Sequence, residues 1–238
     1  MTTHSPVPVQ DLGLLDYEQA LAIQREHNQS LIDGQAGPAI LLVEHPPVIT
    51  LTRRAKPNLL ADDQTLAKLG VTTAETDRGG DITYHGPGQL VAYPILKLGD
   101  FGLNLSSYMR LLERAVIDTI ANWGITGHTE CGATGVWVKQ DSQPDAKICA
   151  MGVRIRKNTT LHGLALNVTP VMEHFNLIVP CGLEDRPVIS MRQLLGEACP
   201  TMAQAKDVFA AAMLNCLKNT GDSTRCATGS APGTSADS

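Results

Sequence analysis

Apolar side chains recur at helical spacing along the chain. Tyr108, Leu111, Leu112, Ala115, Val116, Thr119, Ile120 and Trp123 make one face of a predicted helix that Gly124 stops. Val208, Phe209, Ala212, Met213, Cys216 and Leu217 define a second, with Thr201 and Gln204 as a capping box ahead of it. An earlier helix is expected from about Tyr17 to Leu31. Short β-branched runs separate them: Ala39 to Val43, Val48 to Leu51, Leu90 to Leu96, Val136 to Val138, Ile148 to Ile155 and Leu161 to Val168. Six strands with few long loops predict one sheet. Several follow one another without a helix between, so strict βαβ alternation is missing. The fold class expected is α+β, a single domain with a central mixed, largely antiparallel sheet flanked by helices. The segment 219–238, rich in Thr, Gly, Ser, Ala and Asp, reads as a disordered tail, which leaves residues 10–218 for the domain.

With 238 residues, the chain is long enough to bury roughly 70–75% of its unfolded surface, so a real core is available. Nineteen basic and twenty-four acidic side chains give a net charge of −5, with no basic run to neutralise a row of phosphates; nucleic acid is not an expected partner. The apolar stretches are a handful of residues long, far short of a bilayer span. The opening residues carry neither a secretory nor an organelle-targeting pattern, so a cytoplasmic protein is expected. Six cysteines form no CxxC pair and read as thiols of a reducing compartment. Of seven histidines only His85 and His162 sit among glycines, without a His or Cys partner at ligand spacing, so no metal site is expected. His45, before Pro46 and Pro47, is read as supporting a turn between strands.

Candidate chemistry concentrates in three places. Four glycines and a proline lie between Arg78 and Gln89, with Arg78, Tyr84 and His85 around them. Composition alone favours a hairpin with a glycine-rich turn, while the Arg, Tyr and His favour a binding loop. Cys181, between Pro180 and Gly182 at the end of an apolar run, reads as a thiol on a turn at the edge of the core. A nucleophile belongs there, with amide N–H groups as an oxyanion hole; a buried small hydrophobe is the bland alternative. Lys147 opens a predicted strand, where a lysine is usually a solvated gatekeeper, and Cys149 two residues on shares its face and competes as the reactive thiol. Gly163 and Ala165 share a face and leave a groove for an aliphatic chain or for close packing.

Taken together these pieces resemble the octanoyltransferases of protein lipoylation, also called lipoyl(octanoyl) transferases. The resemblance rests on Glu44-His45-Pro46-Pro47-Val48 followed by Thr50-Leu51, on Arg78-Gly79-Gly80 with Thr83-Tyr84-His85-Gly86-Pro87-Gly88-Gln89, on Lys147-Ile148 before Gly152-Val153, on His162-Gly163 and on Pro180-Cys181-Gly182. It implies the fold of biotin and lipoate ligases and a catalytic Cys181 and Lys147 pair. It implies substrate contacts from Arg78, Gly79, Gly80, Asp81, Ile82, Thr83, Tyr84 and His85, from Ala150, Met151 and Gly152, and from Gly163, Leu164 and Ala165. The implied activity moves an octanoyl group from octanoyl-acyl carrier protein, through an acyl-thioester on the enzyme, to a lysine ε-amine. The implied acceptors are the lipoyl domains of 2-oxoacid dehydrogenase complexes and the glycine cleavage H protein. No cofactor or metal is implied, and a monomer is expected because no exposed apolar helix is evident. Two departures stand out: Thr52 where the family has glycine, and Cys149 where it has a small Ala or Ser, which would narrow an acyl groove. The alternatives are an ATP-dependent lipoate or biotin ligase on the same fold, disfavoured by a glycine loop that carries Asp81 and no lysine, and a non-enzymatic binder of acylated carriers.

Overall fold

The computed structural model describes residues 7–141, 143–179 and 186–222. In chain order its elements are β1 (Val9–Leu14), α1 (Tyr17–Ile32), β2 (Ala39–Glu44), β3 (Val48–Leu51), α2 (Asp63–Leu69), β4 (Thr72–Glu75), β5 (Ile82–His85), β6 (Gln89–Ile95), α3 (Leu105–Ala121), β7 (Gly127–Glu130), β8 (Ala133–Gln140), β9 (Gln143–Arg156), β10 (Thr159–Asn167), α4 (Met191–Leu195) and α5 (Met202–Lys218). Seven strands form one sheet in the order β1-β2-β6-β10-β9-β8-β7. Only β1 and β2 run parallel within it, so the sheet is mixed and largely antiparallel, as the pattern of runs predicts.

The central strands alternate between two buried faces. Leu90 and Ala92 of β6, with Leu164 and Leu166 of β10, pack under α3 and α5. Val91, Tyr93 and Ile95, with Ala165, face Ala20 and Leu31 of α1. Both sides of the sheet are covered, which is why these strands read as unbroken apolar runs rather than alternating ones. The helices begin where side chains can bond their open N–H groups. Asp16 accepts from the amides of Glu18 and Gln19 at the start of α1, and Asn104 with Ser107 closes a capping box that starts α3 one turn earlier than its apolar stripe suggests. Thr201 and Gln204 cap α5 as their spacing predicts.

The expectation of one sheet is corrected. The run 48–51 belongs to a second, three-stranded sheet, β4-β3-β5, with β3 parallel to β4 and antiparallel to β5. That sheet has its own core of Ile49, Leu51, Leu66, Ile82, Tyr84 and Phe175. Periodicity reports which side of a strand is buried, not which sheet it joins. Strands β4 and β7 escaped sequence reading because each holds four residues with no apolar run. The hairpin that composition alone favours around Gly86 to Gly88 does not form, since β5 and β6 lie in different sheets. Of the expected tail, Asn219–Asp222 form a 3-10 turn after α5, and residues from 223 onward lie outside the described ones. Among the described residues no helix is long and apolar enough to cross a membrane.

Candidate active site

A cavity of about 450 Å³ opens between the small sheet and the face of the large sheet that also carries α1. That volume is within the range of small-molecule sites. Thr83 and His85 of β5 line one side, and Val91, Tyr93, Ala150, Gly152, Gly163 and Ala165 of the large sheet line the other. Three segments far apart in sequence therefore meet here: the loop at 78–80, the middle of β9 and the middle of β10. The close approach is built on glycine. The amide of Gly79 donates to the carbonyl of Val153 at 2.9 Å, and a Cβ on Gly152 would stand 2.4 Å from the carbonyl oxygen of Gly79.

Of the residues expected to touch substrate, Arg78, Gly79, Gly80, Ile82, Thr83, His85, Ala150, Met151, Gly152, Gly163, Leu164 and Ala165 line the cavity, as does Lys147. Asp81 and Tyr84 do not. The Asp81 carbonyl accepts from the Thr52 amide, and Tyr84 is buried in the second core with its hydroxyl 2.9 Å from His174 Nδ1. Burial pushes the Tyr84 hydroxyl up to about 12, so it stays protonated. Cys181 lies outside the described residues, together with Pro180 and Gly182.

Lys147 does not open its strand, because β9 begins four residues earlier, at Gln143. A β-bulge then decides which way it points. One step along β8, from Val136 to Trp137, matches two along β9, from Cys149 to Lys147. Ile148 is the extra residue, and it reverses the alternation. Ala150 and Gly152 face the cavity, whereas Cys149 and Ile148 join the core under the helices. Regular alternation would put Lys147 with Cys149; the bulge returns it to the cavity side. Gly135, opposite, makes room with φ +128, where a Cβ would meet the Cys149 carbonyl at 2.5 Å and Lys147 Cε at 3.4 Å. The expectation that Lys147 and Cys149 share a face is thus corrected. Cys149 is fully buried, burial raises its thiol pKa above the ordinary range, and it is absent from the cavity wall.

Several wall residues were missed by sequence reading, Tyr17, Tyr93 and Asn167 among them. The chain has only four tyrosines, and two of them, at 17 and 93, line the cavity, while Tyr84 lies in the core of the small sheet; that scarcity was the available signal. The rings of His45 and His85 join Tyr17 and Tyr93 in one packed group, with His85 stacked on Tyr17 at 6.1 Å and edge-on to His45 at 5.7 Å. Their partners set their protons. Gln89 donates through Nε2 to Asn167 and to the Tyr84 carbonyl, so its Oε1 is the acceptor for His85 Nδ1–H at 2.6 Å. His45 Nδ1–H donates to the Leu15 carbonyl at 2.7 Å, and its Nε2 accepts from the Tyr93 hydroxyl at 2.8 Å. Burial, reinforced by His45, drives the pKa of His85 down to about 3, and burial lowers that of His45. Both rings are neutral.

His162 marks another edge of the cavity. Its φ of 59° is unusual for a residue with a side chain, and it is held from two sides. Its amide donates to Gln24 Oε1 at 3.1 Å, and its Nε2 lies 2.8 Å from Asp77 Oδ1. Asp77 also bonds Arg154 and lies 3.7 Å from Arg25. Burial pushes its carboxyl up, but the bond to His162 and the charges around it prevail and hold it below the usual range.

The pattern of the family described as lipoyl protein ligase A/B catalytic domain matches residues 16–214. The chain belongs to that family. It is 47% identical over 207 residues to an octanoyltransferase of Chloroflexus aggregans, covering 86% of this chain and 92% of that protein. It is 44% identical over 213 residues to an octanoyltransferase of Bacteroides fragilis, covering 87% and 96%. A bipartite lipoate protein ligase of Thermoplasma acidophilum superposes with a TM-score of 0.69 at 14% identity, covering 90% of this chain and 85% of that one, which extends the likeness to the fold. The α+β architecture expected for the lipoyl protein ligase family is the one observed. Thr52, which the resemblance leads one to expect as glycine, has φ −79° and ψ 159°, extended backbone that needs no glycine.

Among the described residues His128, Glu130 and Asp145 bring three possible metal-ligand atoms within 4.8 Å of one another. Glu130 is paired with the Arg186 guanidinium, and His128 Nε2 lies 2.8 Å from an Asp145 carboxylate oxygen, so these atoms already have partners within the protein.

Proposed function

We propose that this protein is an acyltransferase that moves an octanoyl group from octanoyl-acyl carrier protein to the ε-amine of a lysine on lipoyl domains, through a thioester on Cys181, with Lys147 as its acid and base. The observation that carries the reading is the bulge in β9, which turns an otherwise ordinary strand lysine onto the wall of an apolar cavity. The chain that follows Cys181 supports it: the Lys147 amide donates to the Pro187 carbonyl at 2.8 Å, and the Ile189 amide to the Lys147 carbonyl at 3.0 Å. The octanoyltransferases at 44–47% identity give the acyl group.

An unperturbed cysteine of pKa about 8.5 is only a few per cent thiolate at neutral pH, and each unit of lowering is worth about 1.4 kcal/mol, so one ammonium beside it makes the thiolate substantial. Thiolate Cys181 attacks the thioester carbonyl, backbone N–H groups hold the oxyanion, and the bond to the carrier sulfur breaks. Lys147 gives its proton to the departing carrier thiolate, which leaves as the thiol, and becomes a neutral amine. It then takes a proton from the acceptor ε-amine, which attacks octanoyl-Cys181; the amide forms and the Cys181 thiolate returns beside the Lys147 ammonium. Exchange between thioesters is nearly isoenergetic and amide formation is downhill, so the cycle uses no ATP and no cofactor. The acyl chain would lie along Ala150, Met151, Gly152, Gly163, Leu164 and Ala165, with the 78–85 loop above it. Acceptors would be the lipoyl domains of 2-oxoacid dehydrogenase complexes and the glycine cleavage H protein, met by a monomer in the cytoplasm.

Intact mass spectrometry after incubation with octanoyl carrier protein and no acceptor tests this directly. One octanoyl group is expected, mapped to the Cys181 peptide, present in Cys149→Ala and absent in Cys181→Ala. An adduct on Cys149, or modification of a lipoyl domain by free octanoate and ATP but not by the acyl carrier, would replace this reading.

A further inference from the structure

Trp137 on β8 is fully buried, and its orientation is fixed by an indole N–H that donates to the Ala133 carbonyl at 2.9 Å. Strand pairing sets it opposite His128 of β7 on one side and Lys147 of β9 on the other. Two cations meet its ring: Lys147 Nζ lies 4.6 Å from the ring centroid and Arg186 Cζ 4.1 Å from it. Arg186 is bonded to Glu130, and behind Glu130 stand His128, 3.9 Å away, and Asp145, 2.8 Å from His128. Arg186 also adjoins residues 187–189, whose backbone is hydrogen-bonded to Lys147 on either side of the bridge at Val188.

We infer that Trp137 is a positioning residue for Lys147: its indole face fixes where the lysine ammonium stands at the cavity wall and, through Arg186, ties the segment 186–189 to the same place. A lysine is a point charge on a four-carbon stem with several rotatable bonds, so a strand position alone leaves its head group free to sample many places. The negative face of an indole is the strongest aromatic attractor for a cation, and a buried ring held by its own hydrogen bond offers one fixed location. The bulge in β9 chooses the side of the sheet; the indole chooses the spot. This inference rests on the reading of Lys147 as the acid and base.

The test compares Trp137→Leu with Trp137→Phe, which keeps an aromatic face but loses the bond to Ala133. With folding checked by urea melts, Trp137→Leu should lower kcat about tenfold while KM for the octanoyl carrier stays within about twofold, and Trp137→Phe should recover most of the loss. A residue needed only for packing would give no such split and no such ranking. A second readout needs no turnover: in a Trp123→Phe background Trp137 is the sole tryptophan, and adding Lys147→Met should change its emission. A wild-type protein that transfers no octanoyl group sinks the functional reading while the emission result still stands. A wild type that is active, with kcat unchanged in Trp137→Leu or emission unchanged by Lys147→Met, overturns this inference alone.

Discussion

Acid should weaken this fold through His85, and the size of the effect follows from its surroundings. In the unfolded chain an imidazole takes a proton near pH 6.5; in the folded protein burial, with His45 alongside, holds that off until about pH 3. Between those two values the unfolded state carries the extra proton, so stability is fully present above the unfolded pKa and is lost as pH falls toward the folded one. Each pH unit well inside that window costs about 1.4 kcal/mol, which amounts to about 2 kcal/mol between pH 6.5 and 4.5. His85→Asn isolates the contribution, because the asparagine amide can still donate to Gln89 Oε1 in place of Nδ1–H but does not titrate. Urea unfolding at half-unit steps from pH 7 to 4.5 should show wild type losing about 2 kcal/mol more than His85→Asn over that range, with His45 and His162 contributing to both proteins. A gap between the two that stays constant with pH would refute the argument, and with it the assignment of His85 as a neutral ring on the cavity wall.

Cys149, fully buried with its thiol pKa raised, should resist a thiol-labelling reagent in the folded protein while exposed Cys131 reacts at once; peptide mapping of the labelled protein checks the order, and early label on Cys149 would contradict its place in the core. Gly163→Ala should lower stability by about 1–3 kcal/mol, since the added methyl would stand 2.0 Å from the Ala92 carbonyl oxygen in a central strand that cannot retreat; a urea midpoint equal to that of wild type would show that the strands do yield.

Much was legible from local rules because local rules governed it. The stripe from Tyr108 to Trp123, the capping box at Thr201 and the apolar runs at 39–43, 90–96 and 161–168 each signal an element through near neighbours in the chain, and the structure has an element at each. The glycine-rich stretch and the order of the short motifs were enough to suggest the family.

The chain by itself determined that there would be a mixed sheet with helices against it, and which residue types could do chemistry. Only the tertiary structure decided that the run 48–51 joins a separate sheet, that Thr83 and His85 close over Gly152 and Gly163, and that Lys147 turns away from Cys149. The reason is physical. Helix stripes and caps arise between residues a turn apart, whereas sheet membership and a bulge arise from which backbone N–H finds which carbonyl across strands distant in sequence. One extra residue in such a ladder reverses the alternation between the faces of the sheet, and no count along a single strand can register it.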